Sequence, residues 1–456
     1  MMFLLILLGS IVVLLSGFAI RKILEMRQSQ FEIDNKEFLV AGAAMVLVFI
    51  PLIAFIGIKV AINSQVTYYE NWNGWEKHAR FERVTCTRDG ICRHCYDCDP
   101  YKVKTDCSYT DDKGKRVSKT CEHTEYHKCP YTTEEWTFTI DTTVGSIPMA
   151  DRNLPTNPEA YRYRSFKSIP DYTGDYSEQG IPPRWQVVKD RLDRGVPDPV
   201  TLRHDYDNYI LASHSTILKQ YSDAIDKYKK AGLFPTFNVS PMDLYYLNRV
   251  YFVGTNIPGN WPMAMNRFNA ALGSTLQGDL HLVVVDANKV VDADNYHLAL
   301  LSYWLSPEFG KNALSKNGIV IVIGTADGKT VKWARASTGM PMGNEAMLLQ
   351  LQRDLQGAQI TPEELLGWST ATVSGGSVVT QLPKSLLADI LWGTNKYQRV
   401  RMKEHGEGSP GYEYLLKELQ PTTGQYVGIL VCIFLAGLIA WAICARIGLP
   451  RMRRFR

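Results

Sequence analysis

The sequence lacks the signatures by which an enzyme is usually read. It has no nucleophile elbow, no paired zinc histidines, no phosphate-binding loop and no dinucleotide fingerprint. Ser374-Gly375-Gly376 reads as a flexible turn, because no Gly-Lys-Ser/Thr follows it. An excess of one charge is also missing. Fifty Lys and Arg stand against 46 Asp and Glu, a formal net charge of +4. With no basic stripe interleaved with aromatics, nucleic acid is excluded as a partner. Positive charge is missing ahead of the first apolar run, where a signal peptide would carry it. Arg21, Lys22 and Arg27 follow that run instead. No Cys-x-x-Cys-His occurs, which argues against covalent c-type haem.

Long apolar runs, by contrast, are present. Met1–Ile20, Phe38–Ala61 and Tyr426–Ala445 are each about the length that spans a bilayer. Basic residues near span ends favour the cytoplasmic side. Arg21, Lys22, Arg27 and Lys36 lie between the first two runs, and Arg446, Arg451, Arg453, Arg454 and Arg456 follow the last. Two crossings separate loop from tail, so both groups fit one cytoplasmic side. Residues 63–425 are then expected to be extracytoplasmic, periplasmic or lumenal. The terminal arginines read as a stop-transfer and phospholipid anchor. The expected organisation is residues 1–62 as two spans with a short cytoplasmic loop, 63–144 as a cysteine-rich module and 145–200 as an irregular aromatic, Pro-rich segment. Residues 201–400 follow as an α/β domain with a preceding helix, 401–425 as a linker, and 426–456 as a span with a basic cytoplasmic tail.

Seven of the nine cysteines fall in one segment: Cys86, Cys92, Cys95, Cys98, Cys107, Cys121 and Cys129, with His94, His123 and His127 among them. The surrounding residues are charged and poor in aliphatics, too few to build a core, so cross-links are expected to stabilise the segment. A zinc reading competes. Cys92-x-x-Cys95-x-x-Cys98 has ligand spacing, and Cys121-x-His123 and His127-x-Cys129 could complete a tetrahedron. An iron–sulfur cluster is poorly served by the spacing of the fourth cysteine. Seven is odd, so one sulfur is expected to be free, to ligate, or to pair with another chain.

The longest α/β pattern runs from His281 to Gly339. Leu282–Val285 and Ile319–Ile323 read as buried strands. Leu298, Leu301 and Leu305 keep helical spacing between them, which suggests a right-handed βαβ crossover. Val331–Ala336 follows the turn Asp327-Gly328 as a third strand. In an open α/β sheet the place for chemistry is the carboxyl end of the strands. Asp286, Asp292, Asp294 and Asp327 are the candidate cation or ligand residues there, for Ca²⁺ or Mg²⁺. The alternative is that they only make turns. His281 and His297 read as packed or solvated, not catalytic.

This stretch resembles the TPM domain family. Members carry a Val-rich strand, a helix with a Trp near its end, a Gly-linked stretch, an Asn-Gly before a second apolar strand, a charged hairpin and a Gly-rich turn. The matching pieces are Val283–Asp286, Trp304, Gly310, Asn317-Gly318-Ile319-Val320-Ile321-Val322, Asp327–Lys329 and Thr338-Gly339. The family's Gly-Tyr-Gly-like turn is replaced by Ser337-Thr338-Gly339-Met340-Pro341, and its downstream acidic residue by Asn344-Glu345. The fold class expected is α/β, a TPM-like βαβ core in a large extracytoplasmic region, with three transmembrane helices and a cysteine-rich module. The resemblance implies a binding, assembly or modulating factor among other membrane proteins, as a homo-oligomer or in a larger complex. It also leaves a metal-dependent phosphatase as an alternative, and the cysteines leave a redox or metal-sensing ectodomain.

In the remaining chain, Glu134–Thr143 alternates like a half-exposed strand, and Thr201–Lys230 reads as one helix opened by His204, Asp205 and Asp207. Leu247–Val253 reads as a strand, and Trp261–Leu276 and Asn344–Leu355 as helices. Thr361 is the expected N-cap of a short helix with Pro362 in its first turn. Ser385–Leu391 reads as a short apolar helix, Gly406–Gly411 as a linker, and Asn238-Val239-Ser240 as a sequon.

Overall fold

The structure, a computed structural model, describes residues 2–26, 33, 35–92, 95–107, 109–110, 116–118, 120–130, 132–149, 152–155, 182–213, 222–236, 248–340, 342–367, 385–403 and 411–447. It divides into two compact units. One comprises residues 1–68, 205–217 and 401–456, the other residues 69–204 and 218–400. His94, the sequon, Ser374-Gly375-Gly376 and residues 406–410 lie outside the described residues.

The first unit holds three helices long and apolar enough to cross a membrane. Helix α1 is Met2–Met26. The second span joins α2 (Asn35–Ala44) through a π-helical turn, Met45–Phe49, to α3 (Ile50–Val66). Pro51 lacks an N–H to donate to the preceding turn, and the wider π turn next to it absorbs the slip. Helix α12, Thr423–Ile447, is the third. Where lipid offers no hydrophobic drive, small residues let such helices pack closely. Gly17 is such a residue, since a Cβ there would lie 2.3 Å from the Trp441 ring. Trp441 stacks on Phe38 at 5.0 Å and donates Nε1–H to the Val13 carbonyl at 2.9 Å.

The second unit begins where β1, Thr67–Thr85, continues directly from α3. β1 is joined after the cysteine segment by β6 (Thr132–Thr142), β7 (Gly145–Pro148), β8 (Arg152–Pro155) and β9 (Pro199–Asp207), in the order β7-β6-β1-β9 with β8 on β6. Helix α4, Pro183–Asp193, covers this sheet. Its Trp185 indole N–H reaches the carbonyls of Arg80 and Thr139 at 3.1 and 3.2 Å. The segment expected to be irregular therefore contains a helix. Trp185, Val188 and Leu192 bring one face of it onto Phe138 and Ile140, a spacing masked by the surrounding charge.

Residues 201–207 are a strand, not the start of a helix. Val200, Thr201 and Leu202 are buried in succession and Tyr206 after them, and β9 pairs on the edge of β1. Helix reappears as α5 (Tyr209–Ala212) and α6 (Ser222–Lys230).

The α/β core follows the expected order. β10 (Val250–Val253), β11 (Asp279–Asp286) and β12 (Gly318–Thr325) are parallel, and β13 (Trp333–Thr338) closes antiparallel. Both faces of β11 are covered, which explains its unbroken apolar run. Leu280, Leu282 and Val284 meet Phe268 and Leu272 of α7 (Trp261–Leu276). Val283 and Val285 pack on the other side with Tyr296 and Trp304 of α8 (Ala293–Trp304). Helices α9 (Glu345–Asp354), α10 (Pro362–Leu366) and α11 (Asp389–Trp392) add to the α7 side. Thr361 caps α10 as expected, accepting Glu364 N–H at 3.1 Å.

Candidate functional site: strand ends and a disulfide ribbon

The carboxyl ends of β11 and β12 hold the predicted carboxylates, and each has local work. The Asp286 carboxylate accepts Asn288 N–H at 2.9 Å, tightening the turn after β11. Asp292 is the N-cap of α8 and accepts Asn295 N–H at 3.0 Å. Asp294 pairs with Arg335 of β13 at 2.9 Å. Asp327 accepts the backbone N–H groups of Lys329 and Thr330, both at 2.8 Å, and the Thr330 hydroxyl at 2.8 Å. These bonds hold its carboxyl well below the usual range. Among the described residues, no three of these carboxylates bring oxygens within 4.8 Å of one another.

The amino ends of the same strands hold a polar cluster that the sequence does not advertise. Asp279 opens β11, is fully buried, and forms an ion pair with Arg249, which directly precedes β10. Asn73 of β1 donates its Nδ2–H to Asp279 at 3.0 Å while its side-chain Oδ1 accepts Thr201 Oγ1–H at 2.8 Å and an Arg249 N–H at 3.1 Å. His281 Nε2 lies 3.3 Å from Asp279, and its Nδ1 faces the Tyr251 hydroxyl at 3.5 Å. Burial pushes the Asp279 carboxyl up, but Arg249, His281 and Asn73 outweigh it and leave the group well below its ordinary value. The close approach of β1 depends on Gly273, where a Cβ would sit 2.1 Å from the Asn73 carbonyl oxygen. The buried cluster joins the two sheets of this unit. His281 is packed, as expected.

The cysteines form three disulfides: Cys86–Cys92, Cys98–Cys129 and Cys107–Cys121. The last two staple a two-stranded ribbon of β2 (Cys95–Asp106) and β5 (Thr120–Pro130). A small pair, β3 (Tyr109–Thr110) with β4 (Arg116–Val117), lies between its strands in sequence. Most of the ribbon is exposed on both faces. Its charged side chains pair across strands, Lys102 and Lys104 with Glu122 at 3.6 and 3.4 Å. Tyr101 stacks on His127 at 4.4 Å, His127 meets Asp89 at 2.5 Å, and His123 meets Glu125 at 2.8 Å.

Cys95 is the remaining thiol of the segment, half-buried, with its Sγ 3.2 Å from the Cys92 carbonyl oxygen. Burial pushes this thiol up, and Glu135 adds to the effect. A thiolate, the form that attacks or ligates, is thereby disfavoured. With six sulfurs paired, Cys92, Cys95 and Cys98 do not present the three thiolates that the zinc reading needs.

The chain matches no protein-family model, no curated protein and no solved structure.

Proposed function

We propose that the chain is a membrane-anchored protein whose extracytoplasmic, TPM-like domain acts as a binding, assembly or modulating factor in a complex of membrane proteins. The disulfide ribbon is the observation that carries this reading. An isolated two-stranded hairpin is marginal in water, and here two cross-links hold one that buries little of itself. Stabilising an exposed surface in this way suits recognition. Tyr101 and Tyr126 offer large amphipathic side chains on its two faces, since Tyr101 is registered with Glu125 and Tyr126 is the next residue along. The strand, crossover helix and antiparallel return of β11 to β13 support the TPM-like reading of the core. The turn, cap and ion-pair duties of Asp286, Asp292, Asp294 and Asp327 favour binding over a metal-dependent phosphatase.

Photocrosslinking in the native membrane tests the proposal. A photoreactive residue at Tyr101 or Tyr126 of the full chain is expected to give a discrete adduct with another membrane protein or a second copy. The same residue at exposed Val187 on α4 is expected to give none. Adducts absent at both tyrosines, or equal at Val187, would reject the ribbon as the contact surface.

A further inference from the structure

Helix α4 and the middle of β1 border an open groove of about 430 Å³. The β1 wall carries a bulge. Glu76 is registered with Thr142 and His78 with Asp141, so Lys77 has no partner on β6. In a regular strand, neighbouring side chains point to opposite faces, and a bulge re-aims one of them. Lys77 and His78 accordingly line the same groove. Both are exposed, where the four residues before them are buried. On the facing wall, Lys189, Leu192 and Asp193 share one side of α4 at helical spacing, and the turn at Gly195 and Pro197 follows.

The charges of the lining are unevenly matched. Glu76 is buried, pairs with Arg191 and accepts Asp198 N–H at 3.0 Å. Asp193 holds Lys189 at 2.5 Å. Each lining carboxylate therefore has its cation. Among the described residues, the side chains of Lys77 and His78 have no hydrogen bond or ion pair. The ammonium donates, and the imidazole can donate an N–H in either charge state. Two such donors suit the two oxygens of a carboxylate. Ala79, Leu192 and Pro197 add apolar surface beside them. Apolar walls with a few polar groups that fix orientation, in a space of this size, suit a small molecule.

We propose that this groove binds a small carboxylate with a short apolar tail. Lys77 and His78 hold the carboxylate oxygens, and the tail lies along Ala79, Leu192 and Pro197. A phosphate monoester carries close to two charges, one more than Lys77 can meet. The site uses no residue of the ribbon, so it stands or falls independently of the proposed partner contact.

Saturation-transfer difference NMR of the full chain in lipid nanodiscs tests this, with butanoate as the probe. Butanoate is expected to give a saturable signal at a several-fold lower concentration than butanamide, its uncharged counterpart. Lys77→Gln with His78→Gln should move the butanoate titration to the butanamide position. A control on the ribbon, Lys102→Gln with Lys104→Gln, should leave it in place. Unchanged preference in the first variant, or an equal loss in the control, overturns the site. So does equal binding of the two probes, which would mark partition into lipid. Displacement of butanoate by an equal concentration of inorganic phosphate also overturns it, by marking a general anion site. Should the double variant lose its melting transition, Lys77→Gln alone decides between the same outcomes, because that side chain is exposed.

Discussion

His297 carries a consequence that can be measured. It lies on α8 with its ring buried, and neither ring nitrogen has a hydrogen-bond partner among the described residues. Burial, helped by Arg335 and opposed by Asp294, pushes its pKa down from 6.5 to about 4. The unfolded chain therefore binds a proton that the folded chain refuses between those values. Stability is fully present above about pH 6.5 and falls as pH drops towards 4, by about 3 kcal/mol in total for this group. Comparing thermal midpoints of the wild type and His297→Phe from pH 7.5 to pH 4 isolates the effect. The variant should lose the extra acid sensitivity, and parallel curves would show that His297 is not held neutral. Legibility at this scale was uneven. A histidine among Leu298, Leu300 and Leu301 reads as packed, and an Asp after a strand reads as a turn former. Both are so here. Arg249 and Asp279 were not legible as a pair, because an ion pair between the starts of two strands depends on register and sheet order.

At the scale of elements, two features of the sequence were decisive. The alternating and continuous apolar patterns located β6, β11, β12 and β13, and turn and cap chemistry located α10 and the β12–β13 return. Elements whose pattern was short or diluted by charge were missed. β9 reads as the opening of a helix because His204, Asp205 and Asp207 suit a helix start, and α4 is hidden by its charged residues. The cysteine count was legible as a disulfide framework with one sulfur over, but its connectivity was not, since many pairings satisfy the same spacings. The connectivity makes a prediction of its own. Cys98–Cys129 closes a separation of 31 residues and Cys107–Cys121 one of 14. Chain entropy alone values each at roughly 3–4 kcal/mol, more than an exposed hairpin holds by itself. Replacing Cys98 and Cys129 by Ser should release the ribbon locally. Amide hydrogen exchange should accelerate across Tyr101–Thr124, while β11 and β12 keep their protection. Loss of protection in β11 and β12 as well would mean that the ribbon supports the α/β core.

For the whole molecule, the spans and the sulfurs constrain each other. Three helices are long and apolar enough to cross a membrane, and three disulfides lie between the second and the third. Disulfides persist where the surroundings oxidise thiols, and Lys and Arg near short loops mark the opposite side. The two arguments use different residues, and both fit the arrangement we propose, with residues 63–425 outside the cytoplasm and the basic tail inside. In that proposed arrangement three crossings would put the N-terminus outside. In intact cells or spheroplasts, a membrane-impermeant maleimide should label the ribbon cysteines only after a reductant is added. Cys95 should react slowly without it, being half-buried with its thiol pushed up. A tag after Arg456 should stay protected from protease until the membrane is opened. If labelling without reductant were complete at all seven cysteines, the sulfurs would be thiols in place, and the zinc reading of Cys92, Cys95 and Cys98 would return. If instead the tag were digested in sealed cells, the positive-charge argument would fail. The ribbon would then face a reducing space, unable to keep the cross-links on which its exposed surface depends.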